Sequence, residues 1–498
     1  MGVVPPGPRR APAGHGCAPR SAATRDRARP GRLLMGAPTG LRRTLKIRHM
    51  QMIALGGVIG AGLFVGSGVV VSSAGPAAVI SFALTGALVV LVMRMLGEMA
   101  VAYPAVGGFY EYSHLALGDL AAFLTGWMYW YFWVIVVALE AVAGAKLLGH
   151  WWPQVPPWQL TLGLIALFTG VNLLSVRSYG EAEFWFASIK VAAITLFLCA
   201  GAVFILGLWP GAAGGVPHLT MHGGFMPNGI VPVMTGAVAA TGFYFGTEIV
   251  TVAAAESAEP ERAVAQAMQS VIWRVLTFYI GSIFLVVAIL PWNDAARMER
   301  PYVSVLEVLR VPAAATVMSL VILTAVLSAL NSGLFASSRM LMALARRGDA
   351  PGVFARLDAR GVPAAAILAG TAFTYAAVVM SYVSPDKVFA FLVNSYGTVA
   401  IFVYVLIAVS QLRLRRRLER ERPERLRMRM WGFPHLTRLA IVGMLAIVAA
   451  MAFIPDQRAP LVFGIASVIV LLAGFALRRA VGPAAESAPG ATIGQNRR

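Results

Sequence analysis

Gly56-Gly57-Val58-Ile59-Gly60-Ala61-Gly62-Leu63-Phe64 is the stretch that decides the reading of this chain. It sits in a run from His49 to Met93 that contains no Asp, Glu, Lys or Arg. A bilayer's hydrocarbon core takes roughly 20 apolar residues to cross as a helix. The run is therefore long enough for two crossings, divided at Ser72-Ser73-Ala74-Gly75-Pro76. Its glycines fall in the middle of the first crossing. Glycine lowers the cost of leaving helical geometry. At mid-bilayer depth, unwound backbone survives only where it is buried in protein or lines a cavity. There it offers N–H and C=O groups as ligands, the N-terminus of a half-helix favouring a carboxylate and the C-terminus a cation.

A second glycine-weakened stretch lies far along the chain, Thr241-Gly242-Phe243-Tyr244-Phe245-Gly246-Thr247-Glu248. One such stretch alone has a plainer explanation, because Gly56 and Gly60 have the spacing of close helix packing. Two of them, five crossings apart, make segments 45–210 and 225–410 candidate inverted repeats, each led by a broken helix. An odd number of crossings per repeat gives the halves opposite orientation.

Composition agrees with a membrane setting. The 498 residues are 58% hydrophobic and 13% charged, against about 25% charged in soluble domains. A water-soluble enzyme and a disordered scaffold are both excluded by such apolarity. Two cysteines, Cys17 and Cys199, do not make a disulfide framework. No His-Glu-x-x-His, no phosphate-binding Gly-x-x-x-x-Gly-Lys-Ser/Thr loop and no cysteine pair for a metal is present. No cofactor, no metal and no enzymatic reaction is expected, and ATP-driven pumping has no engine. His218 and His222, four apart in a Gly/Pro-rich loop, read as solvent-exposed.

The fold class expected is an all-α polytopic membrane protein with twelve transmembrane helices. They fall near 50–71, 77–97, 120–144, 158–176, 184–208, 229–255, 272–291, 313–338, 363–382, 388–411, 437–454 and 459–478. No signal-peptide cleavage site is evident, so the first span stays as an anchor. On this layout 34 of the 41 Lys and Arg fall in the two tails and the even-to-odd loops, 6 in the opposite loops, and one, Lys190, inside a span. The positive-inside rule then places both termini in the cytoplasm of a plasma-membrane protein. The formal charge of +19 is thereby mainly topology, with no nucleic-acid partner implied. The run Arg413-Leu414-Arg415-Arg416-Arg417-Leu418-Glu419-Arg420 reads as a solvated loop, with contact to anionic membrane lipid as the sharper alternative.

Domain organisation follows. Residues 1–44 read as a disordered basic tail, with Met35 an alternative start, and 45–410 as a transport core. Residues 411–436 form a basic cytoplasmic loop, 437–479 the last two helices and 480–498 a second tail.

Ionisable groups inside spans are rare and functional by default. Glu140 lies in span 3, Lys190 in span 5 and Glu248 beside the second break. Loss of water disfavours the charged form of such groups, which brings proton gain and loss within reach of neutral pH. Structural roles compete: an amine capping carbonyls, a carboxylate bracing a kink. Arg94, Glu98, Glu256 and Arg274 lie near span ends and read as interfacial. Asn331 and Asn394 read as interhelix hydrogen bonds.

The residues then carry a resemblance. Leu45 to Gly68, LKIRHMQMIALGGVIGAGLFVGSG, resembles the first span of the amino-acid transporter family of the amino acid–polyamine–organocation superfamily. So do Leu96-Gly97-Glu98-Met99-Ala100, Tyr103-Pro104, Gly107-Gly108-Phe109, and Leu327-Ser328-Ala329-Leu330-Asn331-Ser332-Gly333 followed by Ser338-Arg339-Met340-Leu341. The similarity runs from about Leu45 to Arg479. In span 6, Gly246 to Ser257, then Ser270-Val271-Ile272-Trp273-Arg274, is similar to the 4-aminobutyrate (GABA) permease branch. The resemblance implies a leucine-transporter-like fold, a 5+5 inverted repeat plus two extra helices, and proton-coupled amino-acid uptake.

It also implies a site. Backbone N–H groups at Gly60, Ala61 and Gly62, beside Ile59, would take the substrate carboxylate. The family usually has Gly-Thr-Gly there, so Ala61 removes a hydroxyl and keeps the N–H groups. Carbonyls at Gly242, Phe243 and Phe245, next to Gly246, would take the ammonium. Family members often carry an aromatic where Gly242 stands, and Phe243 and Tyr244 become the aromatic gate candidates. Lys190 matches a fifth-span lysine that replaces a sodium ion of sodium-coupled cousins. Glu140 matches an acidic third-span position facing the pocket, and Glu248 joins them as a proton-coupling candidate. The partners implied are a small amino acid, a proton and membrane lipid. An exchanger, a permease for an aromatic, branched or basic amino acid, and a membrane nutrient sensor are the alternatives.

Overall fold

In the computed structural model the chain is described at residues 1–2, 45–56, 58–60, 62–103, 108–212, 214–257, 260–383, 392 and 398–481. The expected N-terminal tail past its second residue, Ala61, Asn394, the side chain of Arg274 and residues 482–498 lie outside that set.

The helices, in chain order, are α1 (Ile47–Gly56), α2 (Ser67–Ala74), α3 (Ala78–Ala102), α4 (Phe109–Leu117), α5 (Asp119–Gly149) and α6 (Pro157–Leu174). Then come α7 (Val176–Ile205), α8 (Ile230–Tyr244), α9 (Ile249–Ala253), α10 (Pro260–Ile289), α11 (Ala295–Met298) and α12 (Pro301–Val308). The remainder are α13 (Ala314–Arg346), α14 (Ala364–Val383), α15 (Val399–Glu421), α16 (His435–Phe453) and α17 (Pro455–Val481). The described residues contain no β-strand, only an isolated bridge between Leu45 and Ser257. In hydrocarbon each backbone polar group needs a partner within its own segment, which helices supply.

Eight helical stretches among the described residues are long and apolar enough to cross a membrane. Two shorter apolar helices, Leu276–Ile289 and Ala364–Met380, accompany them. Length and apolarity alone thus give eight spans where twelve were expected. The expected span 77–97 and the second part of 50–71 lie in one 41-residue run, Gly62–Ala102. The expected span 388–411 ends in a helix that carries arginine and glutamate down to Glu421.

That last helix also changes a boundary. Residues 411–421, expected in a loop, continue α15. Arg415 pairs with Glu419 at 2.8 Å and Arg417 with Glu421 at 3.0 Å. Such pairs one turn apart support a helix that has left the apolar layer.

Helices meet through small residues, as expected where lipid offers no hydrophobic contrast. Ser81 and Thr85 on α3 donate to Val233 O and Ala237 O on α8, at 2.7 and 2.8 Å. A Cβ on Gly236 would stand 2.7 Å from Val70 and 2.9 Å from the Ser81 hydroxyl. On α13, a Cβ on Gly333 would stand 2.6 Å from Val137 on α5. By contrast α16 and α17 leave Leu439, Val442, Leu445, Phe453, Val462, Ile469 and Val470 exposed, an extended apolar surface.

Candidate functional site

The first glycine stretch is broken. α1 stops at Gly56, residues 58–60 are non-helical, and the chain re-enters helix through a π turn, Gly62–Gly66, before α2. Breaking a helix strands carbonyls that then need donors. Two side chains supply them. Tyr279 on α10 places its hydroxyl 2.8 Å from Val58 O. Lys190 on α7 donates from Nζ to Ile59 O at 2.8 Å.

The second stretch is also broken, three residues later than the first of its expected carbonyls. Gly242, Phe243 and Tyr244 are the last residues of α8, and the chain leaves the helix at Phe245 (φ −70°, ψ 139°). Gly246 follows at φ +125°, a region open to glycine almost alone. Glu248 precedes α9, and its Oε2 accepts from Gly246 N–H at 2.9 Å and from the Tyr404 hydroxyl at 3.2 Å.

The two breaks share one hydroxyl. Tyr279 lies 2.7 Å from Phe243 O as well as 2.8 Å from Val58 O. With one proton it serves one carbonyl at a time, and it fixes the breaks beside each other. Their aromatic surroundings separate. Phe243 packs on the π turn, since a Cβ on Gly62 would stand 2.5 Å from its ring and one on Gly66 2.7 Å. Phe245 packs against Phe132 and Tyr404, with ring centroids at 4.2 and 4.9 Å. Tyr244 turns to α3: it stacks on Tyr279 at 4.3 Å and donates to Phe82 O at 2.9 Å.

The buried charges converge on the first break. Glu140 on α5 is 7% exposed, and a Cβ on Gly60 would stand 3.1 Å from its Oε1. Its Oε2 is buried without a hydrogen-bond partner. Lys190, fully buried, donates to Ser328 Oγ on α13 at 2.8 Å as well as to Ile59 O. Ser328 in turn donates to Glu183 Oε1 at 2.5 Å.

Glu183 is the site residue that sequence reasoning missed. It lies seven residues before Lys190, two turns away on the same helix face, and that spacing was the available signal. Asn331 donates to its Oε2 at 3.4 Å, and Asn172 on α6 donates to Asn331 Oδ1 at 3.0 Å.

Two residues expected at the interface are instead buried in protein. Glu98, 1% exposed, accepts from Arg415 at 2.5 Å, Gln411 at 2.8 Å and Met430 N–H at 2.6 Å. Glu256, fully buried, pairs with Arg339 at 2.8 Å. A buried carboxylate needs such partners, and the segments packed over it provide them. Arg94 remains partly exposed and lies over the Trp431 ring.

The two breaks thus lie beside each other, with a carbonyl of each in reach of one hydroxyl and with buried ionisable side chains at both. Comparison with known proteins gives the family. The amino acid permease family model matches residues 49–479. The chain is 51% identical over 443 residues to a gamma-aminobutyric acid permease of Bacillus subtilis, covering 89% of this chain and 94% of that one. It is 46% identical over 418 residues to a probable GABA permease of Pseudomonas aeruginosa, covering 83% and 88%. It is also 46% identical over 416 residues to a gamma-aminobutyric acid permease of Escherichia coli, covering 83% and 89%. These relatives are transporters, not enzymes, and the eight apolar helices place the chain in a membrane with several crossings. The chain belongs to the amino acid permease family.

Proposed function

We propose that this permease imports GABA, or a closely similar small zwitterionic amino acid, by proton symport across the plasma membrane. Twelve crossings, both termini in the cytoplasm, and two inverted five-helix repeats with two appended helices complete the reading.

The observation that carries it is the pair of breaks bridged by Tyr279, at 2.8 Å from Val58 O and 2.7 Å from Phe243 O. At the first break a cation, Lys190, occupies a stranded carbonyl. On this reading the N–H groups at Gly60, Ala61 and Gly62 are the pole for a substrate carboxylate. At the second, a carboxylate, Glu248, occupies a stranded N–H. Carbonyls of the α8 end, at Gly242, Phe243 and Phe245, then form the pole for an ammonium, Phe243 O being released when Tyr279 donates to Val58 O. The GABA permease names of the three relatives favour a four-carbon ω-amino acid as the zwitterion held there.

Proton coupling rests on Lys190 and Glu140, with Glu248 bracing the second break. A substrate carboxylate beside Gly60 stands next to Glu140, so the carboxylates share the site only with a proton or the Lys190 charge between them. Helices α1–α3 and α8–α10 rock against the rest as the proton and substrate are released inside.

Radiolabelled GABA uptake into proteoliposomes tests this. Uptake is expected to rise with an inward proton gradient, from vesicles that start empty. Equal uptake under a sodium gradient alone defeats the proton claim, and uptake only from preloaded vesicles identifies an exchanger. Unlabelled GABA is expected to compete better than aromatic, branched or basic amino acids.

A further inference from the structure

The Lys190–Ser328–Glu183 chain starts at the first break, where Lys190 holds Ile59 O, and leads away from it. Glu183 is fully buried and held on both oxygens, by Ser328 at 2.5 Å and Asn331 at 3.4 Å. An acid placed only to neutralise Lys190 needs no hydroxyl between them. Here the Ser328 hydroxyl accepts from the ammonium at 2.8 Å and passes its own proton toward the carboxylate. Donor, hydroxyl and acceptor are thus aligned for transfer, and the short Ser328–Glu183 separation is that of a charge-assisted bond.

We propose that Glu183 is the proton acceptor of Lys190, taking the coupling proton through Ser328 on its way to the cytoplasm. In this step a Lys190 N–H bond breaks as a new O–H bond forms on Ser328. The old Ser328 O–H bond breaks as an O–H bond forms on Glu183. Ammonium and carboxylate become amine and carboxylic acid, and serine is regenerated. The pair has zero net charge before and after, so neither form asks the low-dielectric interior to hold a lone charge.

The transfer acts on the substrate site through the first break. Lys190 as ammonium holds Ile59 O by a charge-assisted bond, and as amine by a weaker one. Proton arrival at Glu183 thus loosens the break that holds the substrate carboxylate. Other groups set the balance. Glu140 on α5 favours the charged lysine. Tyr179, whose hydroxyl is 3.4 Å from Ser332, is near both Glu183 and Arg339 on α13, the latter paired with Glu256. Tyr179 stacks on Phe335 at 4.1 Å, and Arg339 covers the same ring. On the topology proposed above, this succession runs toward the cytoplasm.

The inference rests on the proton-symport reading, and the experiment separates the two. Full-length wild type, Glu183→Gln and Ser328→Ala are reconstituted, and three things are measured with GABA. These are accumulation under an inward proton gradient, substrate-evoked proton influx followed by an internal pH dye, and counterflow between equal pools at one pH. A gradient of about one pH unit supports about tenfold accumulation at one proton per substrate. Both variants are expected to lose that accumulation and the proton influx, while counterflow persists within about threefold of wild type. Wild type without proton influx sinks the symport reading itself. Wild type with influx, and both variants equally coupled, overturns the relay alone. Loss of counterflow together with accumulation, in both variants inserted and monodisperse, makes Glu183 a brace and also overturns it. Should Glu183→Gln fail to fold, Ser328→Ala decides by the same readouts.

Discussion

The two helix breaks do the same thing with opposite charges. At the first, stranded carbonyls of Val58 and Ile59 are met by donors, the Tyr279 hydroxyl and the Lys190 ammonium. At the second, the Gly246 N–H is met by the Glu248 carboxylate. Protein groups thus engage a backbone pole at each break, with Tyr279 also within reach of Phe243 O at the second, and on the proposed reading the ends of the substrate take the backbone groups that remain. They also differ in why glycine is needed. Gly246 sits at φ +125°, so its requirement is conformational. Gly60 has no such φ; a Cβ there meets Glu140 Oε1 at 3.1 Å, so its requirement is crowding by an acid. A break can thus be built from backbone geometry or from what is packed against it, and only the first kind is fixed by local sequence.

That contrast is most sharply tested at the charges. Lys190→Ala leaves Glu183 without its cation and Ile59 O without its donor, a loss of about 3–5 kcal/mol for a buried pair cut in half. Gradient-driven GABA accumulation is expected to vanish in proteoliposomes. Wild-type accumulation in this variant removes Lys190 from coupling.

Gly246→Ala is expected to cost about 1–3 kcal/mol, because alanine is forced into a region it rarely visits. The midpoint of thermal unfolding in detergent should fall, and Gly60→Ala should fall less. The reverse order would mean that crowding by Glu140 at the first break outweighs backbone strain at the second.

Glu248→Gln keeps an acceptor for Gly246 N–H and for Tyr404 but discards the charge. A loss of about 1–2 kcal/mol should appear as roughly a tenfold higher KM for GABA, with maximal uptake reduced less. An unchanged KM would separate Glu248 from the ammonium end of the site.

Tyr279→Phe removes only the shared hydroxyl. With about 0.5–1.5 kcal/mol at stake, KM should rise by no more than about tenfold. A loss as large as that of Lys190→Ala would make the bridge, rather than the charges, the element that holds the breaks together.

Much of this was legible in the residues. The charge-free run from His49 to Met93 and the two glycine stretches announced a membrane protein with interrupted helices, and both interruptions are present. Their limits were less legible. Gly242 looked like the start of the second break, yet α8 holds helical geometry through Tyr244, because a glycine permits unwinding without compelling it. Glu98 and Glu256 looked interfacial, since nothing local reveals that Arg415, 317 residues away, and Arg339, 83 away, cover them. Glu183 escaped notice beside the polar start of α7, although its spacing from Lys190 put both on one face.

The sequence by itself determined the solvent, the places where helices can break and the charges that must be sheltered, because hydropathy and glycine content act over a turn or two of chain. Only the tertiary structure decided who shelters whom. Lys190 finds Ile59 O 131 residues back and Ser328 138 residues ahead. Hydrogen bonds reach about 3 Å, so such pairings exist only once the helices have packed.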